Sequence, residues 1–315
     1  ETMTGGDDNN KNKRQNMATM SPFTIFDHQV DMCDMTSAEV IPFNDIVMAL
    51  KNYIRDDRRL NIFDRIAITR NDVDHIDVLD AKSRSAPYWF HIYHRVCRDN
   101  VEMYTFIRKY LAFLVQRCTV TRKMIVLISA QGSGKGIMLN PIIDILGKWN
   151  VWSAYSSEGF MRFNAHLAGK ILVFADEALF AGDKKTADKL KGMVTGETLE
   201  VEAKYANRIQ IRNTLNWILA SNHEHAIQAD EHDRRACVLN VLPELSGNQN
   251  QLQRAATMEV INVSPYDIAS VLYAEDLVGF DPTTSMPECA GTDEQTRRSL
   301  TPARAWLLSH YINNT

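Results

Sequence analysis

The sequence predicts an α/β protein, with a central parallel sheet flanked by helices and further helical portions before and after it. Three observations predict this. Met124–Ile128, Ile171–Ala175 and Trp217–Ala220 are unbroken apolar runs, as expected of strands buried on both faces. The first run leads into a glycine turn, Gln131-Gly132-Ser133-Gly134-Lys135-Gly136. Ile137, Leu139, Ile142, Ile143 and Leu146 then recur at helical spacing, which completes a strand, glycine loop and helix.

Taken in order, residues 1–20 are polar and aperiodic and read as a linker or disordered arm. Residues 21–87 form an N-terminal portion whose chemistry is not legible, with oligomerisation as one role it could serve. Phe23–Phe26 is expected as a strand and Phe43–Tyr53 as a helix. Residues 88–245 hold the core and its leading helices. Two helices are expected between Pro87 and Val120, because Trp89, Tyr93, Val96, Tyr104, Ile107, Leu111, Leu114 and Val115 recur every three or four residues. Residues 246–315 read as a helical C-terminal portion, with Ile268, Val271, Leu272 and Leu277 at helical spacing. A proline-containing loop from Asp281 to Pro287 then leads to a last helix near Ala303–Tyr311.

The glycine turn is suited to a polyphosphate. Glycine lets successive backbone N–H groups converge, the following helix N-terminus adds partial positive charge, and Lys135 supplies a full one. Gln131 to Ile137 are therefore the candidate nucleotide-binding residues. The match to the P-loop pattern departs at two positions: Ser129 replaces the first glycine, and Gly136 stands where a hydroxyl would meet Mg²⁺. The metal would then rely on Asp176 and water, or on Ser133.

Lys170–Glu177 reads as a buried strand ending in two carboxylates, the first of them, Asp176, 41 residues after Lys135. Asp176 can orient Mg²⁺ and Glu177 can deprotonate the attacking water. A lysine-bearing helix is expected from Ala181 to Gly192. Leu199–Lys204 and Arg208–Arg212 alternate with period two across a short bend, which predicts a β-hairpin. Its tip carries Lys204, Tyr205 and Asn207, suited to the phosphates and base faces of single-stranded DNA; an exposed hairpin without a ligand fits the same pattern. The next strand ends at Ser221-Asn222, where Asn222 can hold the lytic water or touch a γ-phosphate. His223, His225 and His232 lack a zinc-ligand spacing. Arg234 and Arg235 precede one more strand, and either suits a finger reaching a neighbour's nucleotide while the other pairs within its own subunit.

Composition narrows the classes. The chain has 315 residues, 45% hydrophobic and 23% charged, with a net charge of −4. That balance argues against a protein that coats nucleic acid generally, but not against basic groups confined to a channel. Five cysteines without paired spacing predict reduced thiols. No apolar run approaches the ~20 residues of a membrane span, so no membrane partner is expected, and an intracellular, soluble setting is. The polar start at Glu1 and the Asn313-Asn314-Thr315 end lead to the expectation of a piece of a longer protein.

The order of these parts resembles the superfamily 3 helicases, a branch of the AAA+ ATPases, and more closely those attached to primases or primase-polymerases of phages, plasmids and large DNA viruses. The phrases that carry the resemblance are Arg162–Leu167, Phe174–Ala178, Ala181–Lys185, Leu190–Gly192, Ala220–Asn222 and Asp233–Arg235. It extends over about residues 88–312. It implies a P-loop AAA+ core, a homo-hexameric ring and ATP with Mg²⁺ between subunits. It also implies single-stranded DNA in the pore, 3′ to 5′ movement, and a primase or polymerase domain on the same polypeptide. Carried onto this chain, Lys135 binds phosphate, Asp176 orders the metal and Glu177 is the base. Asn222 is the sensor, Arg234 or Arg235 acts in trans, and Lys204 grips DNA. A glycine after the lysine is familiar in that branch. The expected activity is an ATP-driven helicase or translocase in DNA replication. A remodelling ATPase, or a nucleotide-binding ring subunit with weak hydrolysis, is the alternative.

Overall fold

The structure is a computed structural model that describes residues 66–130, 133–154, 162–176, 184–205, 207–227, 234–243 and 257–300, with the strand segments 37–39, 53–54 and 59–61 and positions 304, 306 and 310. The arm at 1–20, the strand at Phe23–Phe26 and the helix near 303–311 lie outside the described residues, apart from those three positions. So do residues 43–52 of the expected helix at Phe43–Tyr53.

Five strands form an all-parallel sheet: β4 (Met124–Ile128), β5 (Val151–Ala154), β6 (Leu172–Asp176), β9 (Asn216–Ser221) and β10 (Ala236–Asn240). Their spatial order is β10-β4-β9-β6-β5. After β4 the chain jumps to the far edge, returns strand by strand to β9, and crosses β4 to reach β10. β4 is thus the point where the direction of strand addition reverses, the place where open α/β sheets form a ligand crevice at their strand C-termini.

Side-chain alternation sorts the core onto two faces. Ile125, Leu127, Leu172, Ile218, Cys237 and Leu239 face one layer. It contains α2 (Val78–Arg84), α3 (Ala86–His91), α4 (Val101–Arg117), α5 (Lys135–Leu146) and α7 (Pro265–Ala274). Met124, Val126, Val173, Trp217, Leu219 and Val238 face the other. That layer holds α6 (Lys184–Thr195) and the hairpin of β7 (Thr198–Val201) with β8 (Ile209–Arg212). With both faces covered, every residue of β4 and β9 is buried, so these strands read as continuous apolar runs.

The first layer ties the two ends of the described chain together. α1 (Arg70–Val73) and α2 precede the expected helix pair. Ile66, Ile68, Val73 and Ala81 share the core of α4 and α5, so this packing extends past residue 88 toward the N-terminus. Arg84 donates to both carboxylate oxygens of Asp267 at 2.7–3.1 Å, and Gln116 Nε2 donates to Leu272 O and Glu275 O at 2.7 and 3.0 Å, capping α7. The expected pair between Pro87 and Val120 is α3, continued by a π-helical turn at Ile92–Val96, and then α4. Asn100 caps α4 by accepting from Met103 N at 2.9 Å.

Three expectations need correction. Tyr53–Ile54 is not the end of a helix but strand β2, antiparallel to β3 (Arg59–Asn61), which also pairs with β1 (Ser37–Glu39); a short antiparallel pairing overrides the helical spacing. Leu277 lies beyond α7, which stops at Ala274, and it packs on the core from a loop. A helix not expected, α8 (Ala290–Arg298), follows the proline loop. Among the described residues no helix is long and apolar enough to cross a membrane. The four described cysteines are free and buried.

Candidate nucleotide site

The C-terminal ends of β4 and β9 meet at Lys135. Its Nζ donates to Ser129 O at 2.8 Å, Ser221 O at 3.2 Å and Asn222 Oδ1 at 2.6 Å. The residue is only 9% exposed. Ser129 N donates to Ser221 O at 3.1 Å, so the parallel pairing holds to the ends of both strands and sets this spacing. A buried ammonium needs such oxygens, and all of them lie at or just past the C-terminal ends of β4 and β9. Asp176, the last residue of β6, is in register with Ala220 on β9, so the acidic strand end stands one strand over from Asn222. The structure brings Lys135, Asn222 and the end of β6 to one edge. Glu177, Gln131 and Gly132 lie outside the described residues.

Local backbone shapes the turn. Gly134 has φ +88° as the cap before α5, a left-handed geometry that disfavours other residues. Ile137 N donates to Gly134 O at 3.0 Å. Ser133 is buried, and its hydroxyl contacts that of Ser129. At Gly136 a Cβ would meet open space, so a hydroxyl-bearing residue would fit there sterically.

Several supporting residues were not legible beforehand. His91 is 2% exposed, and its Nε2 lies 3.3 Å from Gly134 O. Donation there fixes the Nε2–H tautomer and props the turn from below. Burial, helped by the Arg95 charge and opposed by the bond to Gly134, pushes its pKa down to about 4. Tyr88 Oη donates to Met138 O at 2.8 Å and holds α5 from the same side. A histidine and a tyrosine on an apolar helix carry no sequence mark of this role.

At the opposite edge of the sheet, Arg234 and Arg235 precede β10. Arg235 O accepts from Met124 N at 2.8 Å, and the buried Lys123 donates from Nζ to Arg234 O. Their backbone is fixed beside the start of β4, while Arg234 is exposed and Arg235 half-buried. Five residues of strand, about 16 Å at ~3.3 Å each, separate this edge from Lys135. The arginines and Lys135 are therefore not brought together within one chain.

The hairpin pairs Leu199 with Ile211 and Val201 with Ile209. Asn164 anchors it, donating from Nδ2 to Glu200 O and accepting from Glu202 N, both at 2.9 Å. At the tip Tyr205 is 95% exposed with φ +67°, and Lys204 Nζ lies 5.0 Å from its ring centre. Asn207 is exposed as well. Arg208 pairs instead with Glu200 and Glu202 at 2.8 and 3.3 Å. His225 Nε2 sits 3.1 Å from Ser299 Oγ, and among the described residues no group of three potential ligands is arranged for a metal.

Comparison with known proteins matches residues 127–235 to a family of unknown function, DUF5906. The chain is 29% identical over 142 residues to the DNA primase-polymerase of Nitratiruptor phage NrS-1, covering 43% of this chain and 20% of that protein. Two apo structures of the NrS-1 C-terminal region share the fold. One has a TM-score of 0.64 at 16% identity, over 90% of this chain and 67% of that one. The other, of residues 305–718, has a TM-score of 0.59 at 19% identity, over 68% and 52%. The chain thus spans a fifth of the curated relative's length and about half of the second structure's.

Proposed function

We propose that this chain is the motor portion of a phage-type, primase-associated DNA replication protein: a superfamily 3, AAA+ ATPase that translocates on single-stranded DNA as a homo-hexameric ring. The observation that carries the reading is the convergence of Ser129 O, Ser221 O and Asn222 on Lys135, beside the strand end bearing Asp176. Such an edge, at the reversal point of a parallel sheet, suits a nucleoside triphosphate. Likeness to a phage primase-polymerase supports the replication setting, and a primase or polymerase domain on the same polypeptide goes with it.

In this reading the N–H groups of the 131–137 turn and the Lys135 ammonium bind the phosphates. Asp176 holds Mg²⁺, which neutralises phosphate charge when bound. Glu177 takes the proton from water, and Asn222 orients that water. An incoming phosphate replaces oxygens of the chain around Lys135, so the ammonium never lacks a counterpart. The arginine pair, about 16 Å from its own Lys135 along the strands, is suited to a neighbour's nucleotide, which makes a ring the working unit. Lys204, Tyr205 and Asn207 then engage DNA from an anchored hairpin.

ATP hydrolysis with and without single-stranded DNA, for the wild type, Lys135→Ala and Glu177→Gln, tests this reading. Expected is DNA-stimulated turnover that both substitutions abolish, with nucleotide binding kept in Glu177→Gln and lost in Lys135→Ala. Turnover indifferent to DNA would replace the translocase with a remodelling ATPase. Binding without turnover would leave a nucleotide-holding ring subunit.

A further inference from the structure

Helix α8 is unusual in what it buries: a glycine and a glutamine. Gly291 lies so close to β10 that a Cβ there would stand 2.5 Å from Val238 O. Thr292 Oγ1 donates to Ala236 O at 3.0 Å, and Asn240 Nδ2 donates to Glu294 Oε2 at 3.2 Å. The helix is therefore seated on a core strand next to β4. From that seat it reaches the loop after Asn222. Gln295, 1% exposed, accepts at Oε1 from Ala226 N at 3.0 Å and Ile227 N at 3.3 Å, and donates from Nε2 to Glu224 O at 2.6 Å. Arg298 adds a 2.8 Å bond to Glu224.

Three backbone groups of one loop thus depend on one buried amide. Buried polar backbone without partners is costly, and Ala226 and Ile227 are both buried, so the Gln295 amide favours this arrangement of the loop. Asn222 lies two residues before the first of these groups, and its Oδ1 meets Lys135. On the other side, Ser221 Oγ accepts from His223 N at 3.0 Å, so Asn222 is bracketed by its strand and by α8. A cleft of about 410 Å³ is lined by Ser129, Asn222, Glu224, Glu294 and Arg298.

We infer that Gln295 is a positioning residue for Asn222: α8 holds the sensor loop against the nucleotide site and couples the C-terminal portion to hydrolysis. This rests on the ATPase reading above. Its test uses the full chain, comparing Gln295→Met, of similar size but without the three bonds, with Gln295→Glu, which keeps the two acceptor contacts but sets a carboxylate oxygen against Glu224 O. Turnover, binding of a non-hydrolysable ATP analogue and thermal unfolding are measured for each. Expected is a kcat lowered ~10- to 100-fold in Gln295→Met, and lowered in Gln295→Glu as well. Analogue binding should stay within about threefold of wild type. In an Asn222→Ala background Gln295→Met should cost kcat nothing further, because both act through one group. Unchanged kcat in both variants, or the same loss with and without Asn222, would overturn the inference while leaving the ATPase reading intact. An inert wild type would overturn that reading and the inference with it.

Discussion

The two edges of the parallel sheet both carry cations, and they hold them in opposite ways. Lys135, at the C-terminal edge, is buried and its ammonium is absorbed by three oxygens of its own chain. At the N-terminal edge the chain fixes the backbone of the arginine pair through Lys123 and Met124, and Arg234 projects into solvent. The first cation is held inside its own chain by buried oxygens. Arg234 has its backbone held and its side chain left exposed. The hairpin tip follows the second pattern, with an anchored base and an exposed Lys204–Tyr205 pair.

The sharpest break in this contrast would come from the arginines. Arg234→Ala and Arg235→Ala, made singly, should identify one residue whose loss lowers kcat by ~10³-fold or more, with ATP affinity little changed. Mixing it with Lys135→Ala chains should restore part of the turnover, because a mixed ring contains intact sites. No recovery on mixing would place the arginine's action within its own subunit.

His91 probes the buried edge through pH. Its folded pKa of about 4 lies below the ordinary 6.5, so the unfolded chain binds the proton first as pH falls. Stability from this group is complete above 6.5 and is lost progressively as pH falls toward 4, by about 3 kcal/mol in all. Denaturant unfolding at pH 7 and pH 4.5 should show the difference, and His91→Gln should flatten it. An equal slope in wild type and variant would mean that the imidazole is hydrated in solution.

A smaller effect is expected at the hairpin. Lys204→Ala and Tyr205→Ala should each weaken single-stranded DNA binding by about 1–3 kcal/mol, measured by fluorescence anisotropy, and leave basal turnover unchanged. Weakened ATP binding would show that the tip is not independent of the buried edge. Smallest is Gly136→Ser. Its Cβ meets open space, so it should raise stability by a few tenths to about 1 kcal/mol in thermal unfolding. It should also tighten Mg²⁺ dependence if the missing hydroxyl is what limits metal binding. A destabilised variant would show that the space beside Gly136 is not open in solution.

Much of the central sheet was legible because strands buried on both faces must be apolar throughout. β4, β6 and β9 stand where their runs predict, and the hairpin where alternation predicts. Helix α8 was not legible, since AGTDEQTRR has no apolar stripe. It is held by backbone approach at Gly291 and by the amide of Gln295, neither of which leaves a periodic signal. His91 and Lys123 were hidden for a related reason: each bonds a backbone oxygen far away in sequence.

By itself, then, the sequence determined which segments could form the buried strands, where glycine permits the turn at Gly134, and which chemical groups stand at the strand ends. Those properties depend on local backbone freedom and on the one-dimensional pattern of burial. Only the tertiary structure decided that Asn222 meets Lys135, that the arginine pair stands at the far edge, and that α8 reaches back to the loop after Asn222. Strand order and direction fix those distances, and parallel neighbours far apart in sequence carry no local record of being neighbours.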